Sequence, residues 1–501
     1  MKRRALLLGT TVGAGALLVG WAVLPQRSRL GLGSFMAAGE GDIALNGWIK
    51  ILPDGGVVLA MPRSEMGQGV YTALPQLAAE ELDVPVAAVR IEQAGWDAIY
   101  GNVAMLETNF LPLHPLEDAR EDGFGRVKAG RWLIGKVGRE LGINATGGSS
   151  SVSDAWEVVR GAAATARASL VGAASLQWKL PAEEMQVEAG VVSHASGRSA
   201  GYGELARIAA ATPPGNVRLK DRKAWRVIGQ PVARLDVPAK VNGSARFGID
   251  VRLPGMRYAA LRLSPAFGGA PGRVDAAAAL AMPGVERIVM LRALAGSSAG
   301  FAVVARSYWQ AQQAANAVQV DWRAPVAGAA DSRTIASDLE QAVRDRDGYV
   351  FYQRGRVEAA QEAPGARTIE AWYSGPFLAH AALEPMNATA RVLADRVEVW
   401  APTQVPQACR TAAARVAGVD EDKVDLHVTL LGGGFGRRLE TDYVAYAVRV
   451  AMDMPGVPVQ LIWSREEDLQ HDFYRPMQVA RLRATLDAAG LPLALDVKSA
   501  G

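Results

Sequence analysis

Val424-Asp425-Leu426-His427-Val428-Thr429-Leu430-Leu431-Gly432-Gly433-Gly434-Phe435-Gly436-Arg437-Arg438 decides how the last third of the chain is read. Val424, Leu426, Val428 and Leu430 alternate strictly with Asp425, His427 and Thr429, the period-2 mark of a half-buried strand. The strand runs into a glycine-rich loop, and beyond it Val444, Ala447, Val448 and Ala451 recur at helical spacing. Glycines let the backbone approach a ligand closely, and N–H groups at a helix start favour an anion such as phosphate. Two familiar phosphate motifs fail on spacing. A dinucleotide fingerprint starting at Gly432 requires glycine where Arg437 stands, and a P-loop requires Gly-Lys-Ser/Thr. Arg437 and Arg438 still offer guanidinium groups that can grip phosphate bidentately. A tight structural turn with solvated arginines has the same residues, and the loop alone leaves both readings open.

Working outward, Val397 to Trp400 reads as a strand, Pro406 to Val416 as a helix, and Val459, Leu461 and Trp463 as another strand. The order strand, helix, strand, glycine loop, helix, strand implies an α+β or α/β organisation. Near the start, two apolar runs flank the turn Pro53-Asp54-Gly55-Gly56 between Trp48 and Met61, a β-hairpin pattern. Leu74, Leu77, Ala78 and Leu82 predict a helix stopped near Pro85, and Val89-Arg90-Ile91 a strand. The stretch from Asn102 to Asn144 has weak periodicity and reads as a long excursion. Ala145-Thr146-Gly147-Gly148-Ser149-Ser150-Ser151 opens a helix with apolar positions Ala155, Val159, Ala162, Ala166, Leu170 and Ala173. Ser153 or Asp154 suits its N-cap. Arg226 to Gly268 reads as β-rich, Val318 to Trp322 as the closing strand of that module, and Ala324 to Asp347 as a polar linker.

Length and composition bound the rest. A chain of 501 residues suggests about three domains. Apolar residues make up 50% and charged ones 21%, which excludes a mostly disordered chain and a coiled coil. Lys+Arg 54 against Asp+Glu 51 leaves +3 with no basic block, so nothing points to nucleic acid. Cys409 is the single cysteine, which excludes an internal disulfide and a resident iron–sulfur cluster. His114, His194, His380, His427 and His471 are scattered, so no metal site is read from side chains.

At the amino end, Lys2, Arg3 and Arg4 precede a mostly apolar run from Ala5 to Leu24, with Arg27 and Arg29 after it. Its length fits a signal peptide or an anchor. Paired arginines before a weakly apolar segment form the pattern of a twin-arginine export signal. The expectation is a periplasmic protein, free or attached to the periplasmic side of the inner membrane.

Gly432-Gly433-Gly434-Phe435-Gly436-Arg437-Arg438 resembles the Gly-Gly-Phe-Gly loop of molybdenum-binding subunits of the xanthine dehydrogenase/aldehyde oxidase family, in the double-arginine form of isoquinoline 1-oxidoreductase beta-type subunits. His380-Ala381-Ala382-Leu383-Glu384-Pro385-Met386-Asn387, Trp400-Ala401-Pro402-Thr403-Gln404 and Ser464-Arg465-Glu466-Glu467-Asp468 resemble further signatures of that branch. Ile228-Gly229-Gln230-Pro231, Arg234-Leu235-Asp236, Lys240-Val241-Asn242-Gly243 and Leu253-Pro254-Gly255-Met256 resemble its α/β hammerhead domain. Glu65-Met66-Gly67-Gln68-Gly69-Val70-Tyr71-Thr72 and Thr146-Gly147-Gly148-Ser149 resemble parts of the second molybdopterin-binding domain, which most members carry after the hammerhead.

The resemblance implies an α+β fold: an α/β hammerhead domain flanked by molybdopterin-binding α/β domains in permuted order. Residues 1–40 would be an export signal or anchor, and 41–222 part of the second molybdopterin-binding domain. Residues 223–325 would be the hammerhead, and 326–501 the first molybdopterin-binding domain, incomplete at its carboxyl end. It implies a molybdopterin cytosine dinucleotide cofactor carrying molybdenum, with Gly433, Gly434, Phe435, Gly436 and Arg437 on the molybdenum side. Gln68 and Gly69 would meet the cofactor, and Gly148, Ser149 and Ser150 the pterin or its phosphates. It further implies hydroxylation of an electron-poor carbon, on an N-heteroaromatic or aldehyde, with water as the oxygen source. With one thiol in the chain, the iron–sulfur clusters would sit on a small [2Fe–2S] partner subunit, with a cytochrome c as onward acceptor. The family's base is a glutamate in a Gly-x-Gly-Glu motif, which does not occur here, so no catalytic residue is named and this chain alone is expected to be inactive. A non-catalytic exported binding protein is the reading of another class. His380 is read as a supporting residue rather than a catalyst, and Cys409 as a small buried hydrophobe.

Overall fold

The computed structural model describes residues 25–37, 39–110, 126–325 and 330–501. The amino-terminal apolar run and His114 lie outside the described residues. The described residues form two compact units, those up to 246 with 404–407, and those of 247–403 with 408–501.

The first unit is built on a four-stranded sheet, β1 (Ile43–Ala44), β2 (Ile49–Ile51), β3 (Val57–Met61) and β4 (Val89–Gln93), in that spatial order. The expected hairpin is β2–β3, paired antiparallel. Strand β4 runs parallel to β3, as the intervening helix α1 (Val70–Leu82) requires. Helices α2 (Val103–Phe110) and α3 (Arg126–Leu141) follow, then α4 (Ser151–Trp178). The stripe Ala155, Val159, Ala162, Ala166, Leu170 and Ala173 is buried against the same core as Leu74, Leu77 and Leu82 of α1. A small sheet of β5 (Gln186–Glu188), β6 (Val191–Ser193) and β7 (Ser199–Gly201) leads into α5 (Tyr202–Ala211) and the short α6 (Val237–Val241).

Three expectations are corrected here. The excursion between Asn102 and Asn144 contains the helices α2 and α3. Their contact face is glycine: a Cβ on Gly138 would stand 3.0 Å from Leu106 Cδ1, and one on Gly135 2.5 Å from Glu107 Oε1. A helix buried through glycines shows no apolar period. The N-cap of α4 is Ser150 rather than Ser153 or Asp154. The β-rich reading from Arg226 holds only for one strand, β8 (Arg257–Leu263). The N–H groups of Arg226, Val227 and Ile228 donate instead to one oxygen of buried Glu80, at 2.9, 2.7 and 3.0 Å. A side chain takes the donors that a ladder would have used.

The second unit carries a seven-stranded mixed sheet. After β8 come β9 (Ala270–Asp275), α7 (Ala277–Leu280), β10 (Val285–Leu291), β11 (Gly300–Ala305), α8 (Tyr308–Ala317) and β12 (Gln319–Arg323). Then follow α9 (Ser332–Asp345), α10 (Val357–Gln361), β13 (Arg367–Gly375), β14 (Asn387–Val392), β15 (Val397–Ala401) and α11 (Pro406–Ala417). The chain finishes with β16 (Val424–Val428), α12 (Asp442–Met452), β17 (Val459–Ile462), α13 (Arg465–Gln470), β18 (Gln478–Leu486) and β19 (Pro492–Ala500). The sheet order is β10-β11-β8-β17-β14-β15-β16, with β17 parallel to β8 and β15 parallel to β16. Helix α8 buries Ala311, Ala314 and Ala315 on it, and α12 buries Val444, Ala447, Val448 and Ala451. The closing strand β12 pairs with β9. The stretch read as a linker after Ala324 holds α9, capped by Asp331, which accepts from Arg333 N and Thr334 N. Ile335, Leu339 and Val343 share one of its faces, a stripe diluted by eleven polar or small neighbours in a helix of 14 residues.

Candidate functional site

In the first unit, two loops carry the expected ligand-facing residues. The Gly67–Gly69 loop links β3 to α1, and both glycines adopt left-handed φ, +109° and +85°. Buried Glu65 organises it: Oε1 accepts from Gly67 N at 2.8 Å and Gly69 N at 3.1 Å, and Oε2 from Tyr71 N at 3.1 Å. Arg234 closes the arrangement, donating to Gly67 O at 2.8 Å and to Glu65 at 3.2 Å. The Arg234 guanidinium, with Lys240, holds the Asp236 carboxyl well below the usual carboxylate range. Gln68 is exposed, and its amide bonds stay inside the loop, to Ser64 O at 2.9 Å and from Met66 N at 2.8 Å.

The second loop precedes α4. Gly148 and Ser149 are exposed and left-handed, with φ of +60° and +54°. Ser150 is buried: its hydroxyl donates to Gly147 O at 2.7 Å and accepts from Asn102 Nδ2 at 2.8 Å. The helix behind is anchored by Asp154, which Arg29 and Arg63 reach at 2.8 and 2.5 Å. Burial opposes ionisation of Asp154, but the two guanidinium groups outweigh it and lower its pKa. The two loops are tied together: Ser64 N donates to Thr146 Oγ1 at 2.9 Å. Gln404 adds a two-point clasp, its side-chain amide donating to Thr146 O and its main-chain carbonyl accepting from Thr146 N, both at 2.8 Å. So Gln68, Gly69, Gly148, Ser149 and Ser150 lie on joined loops.

In the second unit, the Gly432–Gly436 loop leaves the sheet after β16. Gly433 and Gly436 have φ of +99° and +110°, and Phe435, also left-handed at +56°, extends its ring into solvent. Glu384 does here what Glu65 does in the first unit. It accepts Gly432 N at 2.8 Å and Ile249 N at 2.9 Å, and pairs with Arg438 at 3.1 Å. The segment around Glu384 is not helical, in keeping with Pro385. The N–H groups of Gly433, Gly434 and Phe435 form no hydrogen bond among the described residues, so three donors stand together on one loop.

The arginines do not extend that cradle. Arg437 and Arg438 are almost wholly buried, at 1% and 0% exposure. Arg437 makes a bidentate pair with Asp442, at 2.9 and 2.8 Å, lies 3.2 Å from Asp472, and sits between the rings of Trp463 and Phe473. Burial works against its charge, but Asp442 and Asp472 outweigh it and raise its pKa. The reading of guanidinium groups gripping phosphate is therefore corrected: both are occupied by the protein's own carboxylates. Nor does a helix start at the loop. Residues Arg437–Leu439 form a single 3-10 turn, and α12 begins only at Asp442. His380, beside the loop, is held by Asp472 at 2.9 Å. Cys409 is fully buried in α11 and touches Thr403 Oγ1 at 3.1 Å. Sequence reasoning missed Glu65 and Glu384 as loop organisers. The available signal was an acidic residue inside each motif, Glu65 two residues before Gly67 and Glu384 directly before Pro385.

Comparisons with known proteins place the chain in a family. Two families of molybdopterin cofactor-binding domain match, one over residues 343–501 and the other over residues 10–102. The chain is 32% identical over 488 residues to isoquinoline 1-oxidoreductase subunit beta of Brevundimonas diminuta, covering 89% of this chain and 57% of that one. It is 29% identical over 511 residues to a membrane-bound aldehyde dehydrogenase (pyrroloquinoline-quinone) of Gluconacetobacter polyoxogenes, covering 100% of this chain and 60% of that one. Quinoline 2-oxidoreductase from Pseudomonas putida 86 is a solved structure with 21% identity and a TM-score of 0.43, over 54% of this chain and 39% of that one. The chain thus spans 57% and 60% of the length of the two curated relatives. With both cofactor-binding domains matched and the motifs in place, the chain belongs to the molybdopterin-binding subunits of the xanthine dehydrogenase/aldehyde oxidase family, in the isoquinoline 1-oxidoreductase beta-subunit branch.

Proposed function

We propose that this chain is the cofactor-holding part of an exported molybdenum hydroxylase that oxidises an N-heteroaromatic compound and passes electrons to an iron–sulfur partner subunit. The observation that carries the reading is the Gly432–Gly436 loop, where Glu384 fixes the entry and the N–H groups of Gly433, Gly434 and Phe435 make no hydrogen bond among the described residues. Such a row of backbone donors suits the oxygens of a cofactor rather than a metal ion held by side chains. The Gly148–Ser149 turn at the start of α4 offers a second place for an anionic group, where helix polarity favours negative charge. The donors of the Gly432–Gly436 loop fit a molybdopterin dinucleotide, taken as the cytosine form. When bound, that cofactor supplies the two-electron oxidation of carbon with water as the oxygen source. The protein's residues bind it, orient it and shape the approach of substrate.

We place the clusters that carry electrons onward on a small [2Fe–2S] partner subunit, with a cytochrome c beyond it, in keeping with Cys409 as the single thiol of these 501 residues. The paired arginines Arg3 and Arg4 before the apolar run support export to the periplasm. The 29% identity to an aldehyde dehydrogenase favours one second reading, an aldehyde as substrate on the same scaffold. Molybdenum and pterin analysis of the purified protein, followed by dye reduction with isoquinoline and with simple aldehydes, tests both. Molybdenum and pterin on this chain, with isoquinoline-dependent reduction only where the family's Gly-x-Gly-Glu glutamate is also supplied, is the expected result. Reduction by aldehydes alone selects the second reading, and protein without molybdenum or pterin overturns both in favour of a non-catalytic binding role.

A further inference from the structure

We infer that the Asp472–His380 pair presents the free ring nitrogen of His380 as a ligand-binding group of the glycine loop, deepening the function proposed above and resting on it. Asp472 holds the histidine at two points. Oδ1 lies 2.9 Å from His380 Nδ1, and Oδ2 accepts the His380 main-chain N–H. Asp472 is itself buried and braced by Arg437 Nε at 3.2 Å. The ring is therefore fixed in rotation as well as in place.

Its other nitrogen is not used. His194 engages both ring nitrogens, with Ser196 and Glu184, and His471 engages both, with Glu467 and Ser264. His380 Nε2 has no hydrogen-bond partner among the described residues, although the side chain is only 19% exposed. It faces Gly436: a Cβ built there would stand 3.2 Å from Nε2. Gly436 is left-handed and has no side chain, so no Cβ at that position covers the nitrogen.

The chemistry of the pair sets what it recognises. A carboxylate beside a guanidinium acts as acceptor, so the Asp472 contact places a hydrogen on Nδ1 and leaves Nε2 as the ring nitrogen turned away from Asp472. The N–H groups of Gly433, Gly434 and Phe435, which make no hydrogen bond among the described residues, can donate, and His380 Nε2 can accept. Together they suit a ligand that carries acceptor oxygens and an N–H or O–H donor close to one another, as a phosphorylated pterin does.

Two substitutions separate ligand binding from a structural role. In H380N the amide can replace Nδ1 and keep the bond to Asp472, but nothing reaches the Nε2 position. In H380Q the amide reaches the Nε2 position and gives up the Nδ1 bond. Wild type, H380A, H380N and H380Q are purified as the full chain with any accompanying subunits from cells that make the cofactor. Molybdenum, pterin and melting temperature are measured on each. We expect H380Q to keep most of its molybdenum and pterin, and H380A and H380N to lose about fivefold, the worth of one hydrogen bond. Melting temperatures of H380N and wild type should agree. Full loading of H380N with an empty H380Q, or equal loading of all four, overturns the inference while the proposed function stands. A wild type that carries neither molybdenum nor pterin overturns the function and the inference with it.

Discussion

Oε2 of Glu384 accepts the N–H of Gly432 at 2.8 Å, so a single buried carboxylate sets where the glycine loop leaves its sheet. Its remaining bonds go to Ile249 N at 2.9 Å, Asn387 Nδ2 at 3.0 Å and Arg438 Nη2 at 3.1 Å. Removing it in E384A strands the fully buried Arg438 guanidinium, and breaking a buried pair costs about 3–5 kcal/mol. E384Q keeps the volume but turns amide hydrogens toward donors, a loss of about 1–3 kcal/mol. Urea unfolding should therefore show lowered midpoints for both, with alanine the lower. A wild-type midpoint in E384A would mean that the loop stands without its carboxylate.

The two arginines after the loop yield a chemical test. Arg437 and Arg438 have their guanidinium groups enclosed and paired, with Asp442 and with Glu384. An arginine-specific dicarbonyl reagent should spare both in the native protein while labelling exposed Arg333 and Arg306, whose side chains are 95% and 74% accessible. Peptide mapping after mild denaturation should then find both modified. Native labelling of Arg437 at the rate of Arg333 would restore the reading in which these groups face a ligand.

What the sequence revealed and concealed follows from how local each feature is. The strand Val424–Val428 was legible because one face meets the core and the other meets water, so its alternation is written in consecutive residues. The Ala155-to-Ala173 stripe of α4 was legible for the same reason at helical period. Helix α3 was not, because Gly135 and Gly138 form its buried face and glycine carries no apolar signal. Around the site, the glycines announced close backbone approach. The carboxylates that hold those loops did not announce themselves. Glu384 bonds Gly432, 48 residues away, and Glu80 gathers three N–H groups about 150 residues on, contacts that only tertiary folding creates. The arginine reading failed for a related reason: Asp472, the partner that brackets Arg437 with Asp442, lies far along the chain with no local cue.

Cys409 supplies a reporter of opening. Its thiol is fully buried, and burial pushes it up to about 12, so neither access nor thiolate is present in the native state. A disulfide reagent at mildly alkaline pH should titrate no thiol in native protein and one after full unfolding. At intermediate denaturant the labelling rate should track opening of α11. Rapid native labelling would contradict the enclosure of this helix.

The last prediction concerns pH. His471 Nε2 lies 2.9 Å from Ser264 O, and Nδ1 lies 3.1 Å from Glu467 O and 3.2 Å from the Glu467 carboxylate. Both nitrogens face acceptors, an arrangement that only the doubly protonated ring satisfies. Burial lowers its pKa, but the Glu467 bond and charge outweigh burial and raise it above 6.5. A raised folded-state pKa means that the protonated ring stabilises the native protein. That contribution is complete below about pH 6.5 and is lost as pH climbs through the higher folded-state value. The gap in melting temperature between wild type and H471Q should thus be widest near about pH 6 and should narrow toward about pH 8.5. Taking the difference cancels titrations shared by both proteins. A gap that widens with rising pH would show that the neutral ring is the form the fold prefers, and that the Glu467 contact does not hold a charge.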